Sequence, residues 1–302
     1  MSRLLLRPIS YRHVVFPDSP AVSNRPVNFT PDLEVEEPDD SPQLSSDEYA
    51  AMGWIFERAG LNADDYRRET LRRRIPACLR ALRVETMVQV CAAVQRNPGL
   101  LKVALNALVI GVTSFFRDPP VFAAIHERVI PELLSRTRSQ GLRIWSAGCS
   151  DGSELYSVAM LVAEHGAVEH GTLLGTDCRP AALAQAREAC YDTAAVSNVP
   201  ASLFGKYFHF GDEGWRVHPS LRGASRWRAG ELLRCCEPAG WDLILCRNLA
   251  IYMQPTSAQR LWTRLEHLLR PGGILVLGKA ERPVGTKAMR FVAPCIYRRD
   301  RS

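Results

Sequence analysis

The chain has 302 residues, 46% hydrophobic and 23% charged, with a formal net charge of +6. That length and balance describe a soluble globular protein with one large or two ordinary cores. No run approaches the roughly 18 apolar residues of a membrane span. The opening MSRLLLRPIS is too short in its apolar part for a secretory signal, so a cytoplasmic protein without membrane insertion is expected.

The nine cysteines form no C-x-x-C pair, and the seven histidines show no ligand spacing. They read as reduced core thiols and scattered side chains, and no metal site is expected. The charge is local. Residues 67–83 carry seven arginines against Glu69, an excess of six that equals that of the whole chain. Such a patch on a balanced protein points to one acidic partner surface.

In chain order, residues 1–46 are rich in proline and hold the acidic run DLEVEEPDD, which reads as a disordered acidic tail. A helix follows, with Ser46 or Asp47 as N-cap and Gly60 as stop. Residues 63–75 read as a second helix, with Asp64 and Asp65 in its first turn, arginines behind them, and Pro76 as a kink or restart. Helical patterns recur over 84–96 and 98–110, giving a small all-helical domain. VTSFFRDPP (112–120) reads as a rigid turn that anchors aromatics in a core and presents charge. With it the helical N-terminal domain is taken as 47–120. Residues 121–134 open the next helix.

After residue 141 strands and helices alternate: strand LRIWSA, helix ELYSVAMLVAEHG, strand GTLLGTD, helix 180–191, strand WDLILCRN, helix 257–270 ended by Pro271-Gly272-Gly273, strand 274–280, and a final hairpin arm. Residues 205–230 read as a β-hairpin insertion. The expected fold is α/β, a doubly wound, mainly parallel sheet.

Ligands of such sheets lie at the carboxyl ends of the strands. The loop containing Gly148 falls there, as do Asp177 at the end of the second strand, Glu231, and Arg247 and Asn248 closing WDLILCRN, with Tyr252 beyond. A carboxylate at Asp177 suits the two hydroxyls of a ribose. After Gly148 the next glycine is Gly152, so there is no G-x-G-x-x-G, which argues for a nucleoside cofactor without a pyrophosphate.

The stretches VTSFFRDP, AGCSDGSELYSVAMLV, LLGTDCRPAALAQAREACY, WDLILCRNLAIYM and LLRPGGILVLGKAE resemble, in order and spacing, the chemotaxis-receptor methyltransferase (CheR) family. YRRETLRRRI matches its N-terminal helical domain. The resemblance implies a Rossmann-like S-adenosylmethionine methyltransferase domain over 121–302. It implies methyl transfer to glutamate side chains of the receptors' cytoplasmic helical bundle, with S-adenosylhomocysteine as product.

By position, the resemblance implies that Thr113 and Arg117 flank the cofactor's carboxylate. Glu154 would meet its amino group, and Asp177 the ribose. Glu231, Leu232, Arg247 and Asn248 would line the adenosine. Arg117 and Tyr252 would organise the reacting centre, although Arg117 also fits a simple salt bridge and Tyr252 a core position. Arg67, Arg68, Arg72, Arg73 and Arg74 would dock the acidic receptor surface. Nucleic acid is not an expected partner, because the patch lacks interleaved aromatics. A monomer is expected.

The sequence departs from the family pattern at Gly111 (usually Asn), Ser153 (usually Glu) and Glu231 (usually Asn or Asp). The changes at 111 and 231 would each cost about 1 kcal/mol of cofactor affinity. They leave a cofactor-sensing or scaffold protein with little turnover as the alternative.

Overall fold

A computed structural model of the chain describes residues 44–137 and 141–301. The tail expected over 1–46 lies outside the described residues except for its last three, which lead into the first helix.

Helix α1 (Ser46–Arg58) is capped one residue earlier than expected. The Ser45 hydroxyl accepts from the Glu48 N–H at 3.2 Å, and the Glu48 carboxylate accepts from the Ser45 N–H at 3.0 Å. This reciprocal pair satisfies two otherwise orphaned donors. The single helix expected over 63–75 is split. Ala63–Asp65 is a short 3-10 turn and α2 runs Arg68–Leu82. Between them Tyr66 bridges Met253 antiparallel, and the Arg67 N–H donates to the Tyr252 carbonyl at 3.0 Å. Tertiary pairing thus holds Tyr66 and Arg67 extended against their helical surroundings. α2 runs through Pro76 without a restart. Pro76 itself is exposed, and as a proline it leaves the carbonyl four residues earlier without its helical donor. Helices α3 (Met87–Arg96) and α4 (Leu100–Leu108) complete the bundle. Met52, Ile55, Phe56, Leu71, Cys78, Val90 and Leu105 share its core.

The turn after α4 is anchored in the second core. Phe115 packs edge-on against Tyr191 (4.8 Å) and Phe208 (5.2 Å), and the Phe116 N–H donates to Ser157 Oγ at 3.0 Å. Helix α5 (Pro119–Ala124) passes through a π turn into α6 (Ile130–Thr137).

The rest alternates as expected: β1 (Arg143–Ala147), α7 (Ser153–Glu164), β2 (Thr172–Asp177), α8 (Pro180–Glu188), β3 (Cys190–Tyr191), α9 (Ala201–Tyr207), β4 (Phe208–Gly211), β5 (Gly214–Val217), α10 (Pro219–Ala224), β6 (Ser225–Ala229), β7 (Trp241–Cys246), α11 (Pro255–Leu268), β8 (Leu269–Leu277), β9 (Met289–Ala293) and β10 (Ile296–Arg299). A seven-stranded sheet runs β6-β2-β1-β7-β8-β10-β9. Strands β6 to β8 are parallel, and β10 and β9 return antiparallel. All six residues of β7 are buried, as a strand covered on both faces requires.

Three expectations need correction. Pro271-Gly272-Gly273, expected to end the helix over 257–270 ahead of a strand from 274, lies inside β8 (Leu269–Leu277), and α11 already stops at Leu268. The helix over 180–191 stops at Glu188, because Ala189 turns left-handed (φ 53°) and Cys190–Tyr191 pairs with β5. The hairpin β4–β5 does form within 205–230, as part of a separate three-stranded sheet β3-β5-β4. Residues 225–229, however, form the parallel edge strand of the main sheet. Trp227 seals that edge over Gly175, where a Cβ would come within 2.5 Å of its ring.

Candidate active site

The strand order reverses between β1 and β7, and the crevice at their carboxyl ends is where doubly wound sheets hold ligands. One cavity opens there. It is lined by the loop after β1, by the ends of β2 and β7, and by Phe56, Tyr66 and Leu71 of the helical part. Thr113, Arg117, Gly148, Glu154, Asp177, Glu231, Leu232, Arg247, Asn248 and Tyr252 all line it.

The loop turns at Gly148, whose φ of 80° suits glycine and whose N–H donates to the Thr176 carbonyl at 2.8 Å. Glu154 sits in the first turn of α7, where the helix dipole favours a carboxylate. It accepts from Ser146 Oγ at 2.8 Å and from Arg247 Nη1 at 3.2 Å. Asp177 accepts from the Ser150 N–H at 2.8 Å, and from the backbone N–H and Nε of Arg179 at 2.9 and 3.2 Å. Ser153 Oγ donates to Asp151 at 2.8 Å and lies 3.4 Å from Thr113 Oγ1.

Arg247 is buried, and its Nη2 donates to Asp118 at 2.8 Å and to the Arg117 carbonyl at 2.8 Å. Its guanidinium thus braces Glu154 and the 117–118 turn. Burial works to raise the Asp118 carboxyl, but Lys279 and Arg247 hold it below the usual carboxylate range. Arg117 donates from Nη1 to the Val112 carbonyl at 2.9 Å.

On the far wall, Glu231 accepts from the Leu233 N–H at 3.0 Å. Its other oxygen, Oε2, is buried without a protein partner, and so are Asn248 Oδ1 and Arg247 Nε. Orphaned buried polar atoms are rare and costly. Here all three belong to residues lining the cavity, and the two acceptors, Glu231 Oε2 and Asn248 Oδ1, are accompanied there by the apolar Leu232 and Leu249. That mix fits a purine nucleoside, which offers donors at its edge and an apolar face. Burial raises the pKa of the Glu231 carboxyl.

Sequence reasoning passed over Glu281. It is buried, and it accepts four backbone N–H bonds, from Asn248, Leu249, Ala250 and Gly278, at 2.7 to 2.9 Å. It also gave no role to Asp118, Arg179 or Ser150. All four lie in the stretches that carry the family resemblance, but the resemblance attached no role to them.

The arginines of the basic segment divide. Arg67 Nε donates to the Met253 carbonyl at 3.0 Å and Arg74 Nε to the Ala107 carbonyl at 2.9 Å, so both bind structure. Arg68 lies over the Tyr49 ring, and exposed Arg73 pairs with Glu69 one turn back. Arg72 is half-buried on α2.

A parallel sheet with a glycine turn after its first strand and a carboxylate closing its second defines a nucleoside-binding α/β domain. The chain belongs to the CheR methyltransferase family: residues 111–294 match the model described as the CheR methyltransferase SAM binding domain, and residues 50–109 the CheR methyltransferase all-alpha domain. It is 29% identical over 241 residues to a chemotaxis protein methyltransferase of Listeria monocytogenes, spanning 80% of this chain and 92% of that one. Identity is 34% over 192 residues (61% and 70%) to chemotaxis protein methyltransferase 1 of Pseudomonas aeruginosa. It is 31% over 242 residues (76% and 90%) to a probable chemotaxis protein methyltransferase of Rhizobium etli. The chain is an S-adenosylmethionine-dependent methyltransferase.

Proposed function

We propose that this methyltransferase esterifies glutamate side chains on the acidic helical bundles of chemoreceptors. The observation that carries this reading is the tie between the basic segment and the cavity. Tyr66 and Arg67, which lead into α2, bind the backbone of Tyr252 and Met253 directly. An acidic helix docked along α2 therefore has its side chains beside the Tyr252 wall of the cavity.

Bound in the cavity, S-adenosylmethionine supplies an electrophilic methyl group. Asp177 takes its ribose, and Glu154 its amino group. Thr113 and Arg117 meet its carboxylate, and Glu231, Leu232 and Asn248 its adenosine. Arg247 acts behind them, fixing Glu154. A glutamate side chain has an ordinary pKa near 4.3, so at neutral pH its carboxylate is already the nucleophile and needs no general base. What the chain must supply is alignment and partial removal of water. Arg117 and Tyr252 carry donors that hold a carboxylate without protonating it.

The test is tritiated-methyl transfer to receptor-containing membranes, followed by base treatment to release methanol from carboxyl esters. Arg117→Ala and Tyr252→Phe should each slow turnover about tenfold or more, with Tyr252→Phe leaving cofactor affinity near wild type. Label that survives base treatment, or both variants working at the wild-type rate, would remove the reading.

A further inference from the structure

The ribose side of the cavity contains a cation that the sequence pattern does not announce. Arg179 is buried, at 7% exposed, directly beside Asp177. Its Nη2 donates to Ser150 Oγ at 2.8 Å, and that hydroxyl donates to the Gly111 carbonyl at 2.9 Å. A Cβ built on Gly111 would lie 1.9 Å from Arg179 Cζ. The guanidinium therefore occupies the volume that any side chain at 111 would need. Gly111 is not in the left-handed region, so its backbone does not require glycine; the space does.

A carboxylate has about four acceptor positions. Asp177 already receives three donors: the Ser150 N–H, the Arg179 N–H and Arg179 Nε. About one position is left, which is too few for both hydroxyls of a vicinal diol. Each hydroxyl is, however, an acceptor as well as a donor. A guanidinium has five N–H groups, of which Nε and one on Nη2 have protein acceptors here. Arg179 lines the same cavity as Asp177.

We infer that Arg179 is a ribose-binding residue. It shares the cofactor's diol with Asp177, each taking one hydroxyl, and Gly111 is the gap that admits it. This rests on the reading that Asp177 meets the ribose.

Isothermal titration calorimetry of the full chain with S-adenosylhomocysteine and its 2′-deoxy and 3′-deoxy analogues tests it. In the wild type each deoxy analogue should bind about tenfold or more weakly. In Arg179→Ala one of the two penalties should fall to within about twofold while the other persists, because only one hydroxyl has lost its partner. Gly111→Ala, whose methyl displaces the guanidinium, should lose the same penalty and no other. The double variant should be no worse than Arg179→Ala. Should Arg179→Ala fail to fold, Gly111→Ala carries the test alone. Persistence of both penalties in either variant, or wild-type affinity in Gly111→Ala, would overturn the inference. A loss of overall affinity with both penalties intact would mark a structural role only, and overturn it too. Asp177→Asn separates the underlying reading: if it also keeps both penalties, the ribose is not at Asp177 and both ideas fall.

Discussion

Glu281 turns a loop into a wall of the cavity. Its carboxylate gathers the N–H groups of Asn248, Leu249 and Ala250 and ties them to Gly278 at the end of β8. Asn248 is held at φ 57°, a left-handed conformation that few residues other than glycine adopt without such support. Glu281→Ala leaves several buried donors unpaired. It should lower unfolding free energy by roughly 3 kcal/mol in urea titrations, with cofactor binding lost alongside. A variant of unchanged stability would show that the loop holds itself. Glu231 makes a pH-dependent prediction. Burial raises its pKa in the folded protein, so the stability it contributes is present below the unfolded-state value near 4.3 and is lost as pH rises through the folded value. Glu231→Gln does not titrate. The melting-temperature difference, variant minus wild type, should therefore grow from pH 4 to pH 7, and a flat difference would refute the burial argument. Asp177 was legible in the sequence because it closes a strand, whereas Glu154 was picked out only through the family resemblance. Asp118 and Glu281 were not legible, because their partners are met through space; Arg179 neighbours Asp177 in sequence, but its bond to Ser150 and its fit against Gly111 are made through space. The pairing of Asp118 with Arg247 spans 129 residues.

Among the elements, the buried strands were the most legible. Short apolar runs such as LILC (243–246) have few alternatives of that length once helices are excluded by flanking turns. The failures have a common physical cause. Strand β3 has two residues and no room for a pattern, and β6 is an edge strand reading SRWRA, with exposed charges where a core strand would be apolar. The break before α2 came from pairing with residues some 187 positions away, which local propensity does not encode. On α2 the arginines make separable contributions. Replacing Arg72, Arg73 and Arg74 by Ala should weaken acceptor binding and flatten its dependence on salt, since fixed charges attract an acidic surface through a screened field. Part of that loss belongs to Arg74, which also holds the Ala107 carbonyl, so its single variant should show lower thermal stability than the Arg73 one. A steep salt dependence in the triple variant would rule out docking along α2.

At the scale of the molecule, the described residues 44–137 and 141–301 pack as one unit although two family domains compose it. The connection is more than the linker. Besides the Tyr66–Met253 bridge, buried Asp65 accepts from Ser257 Oγ at 2.6 Å and pairs with Arg260, both on α11. The cavity is lined from both sides of that seam, by Phe56, Tyr66 and Leu71 from one part and Asp177, Glu231 and Asn248 from the other. A ligand placed there acts as a thermodynamic clasp. Its binding free energy adds to the cooperativity between the two family domains. At a hundred times its dissociation constant, S-adenosylhomocysteine should add about 2.7 kcal/mol to the joined state. Calorimetric scans should sharpen toward a single peak as the ligand is raised. Asp65→Ala should pull that peak apart into two, with saturating ligand drawing them together again.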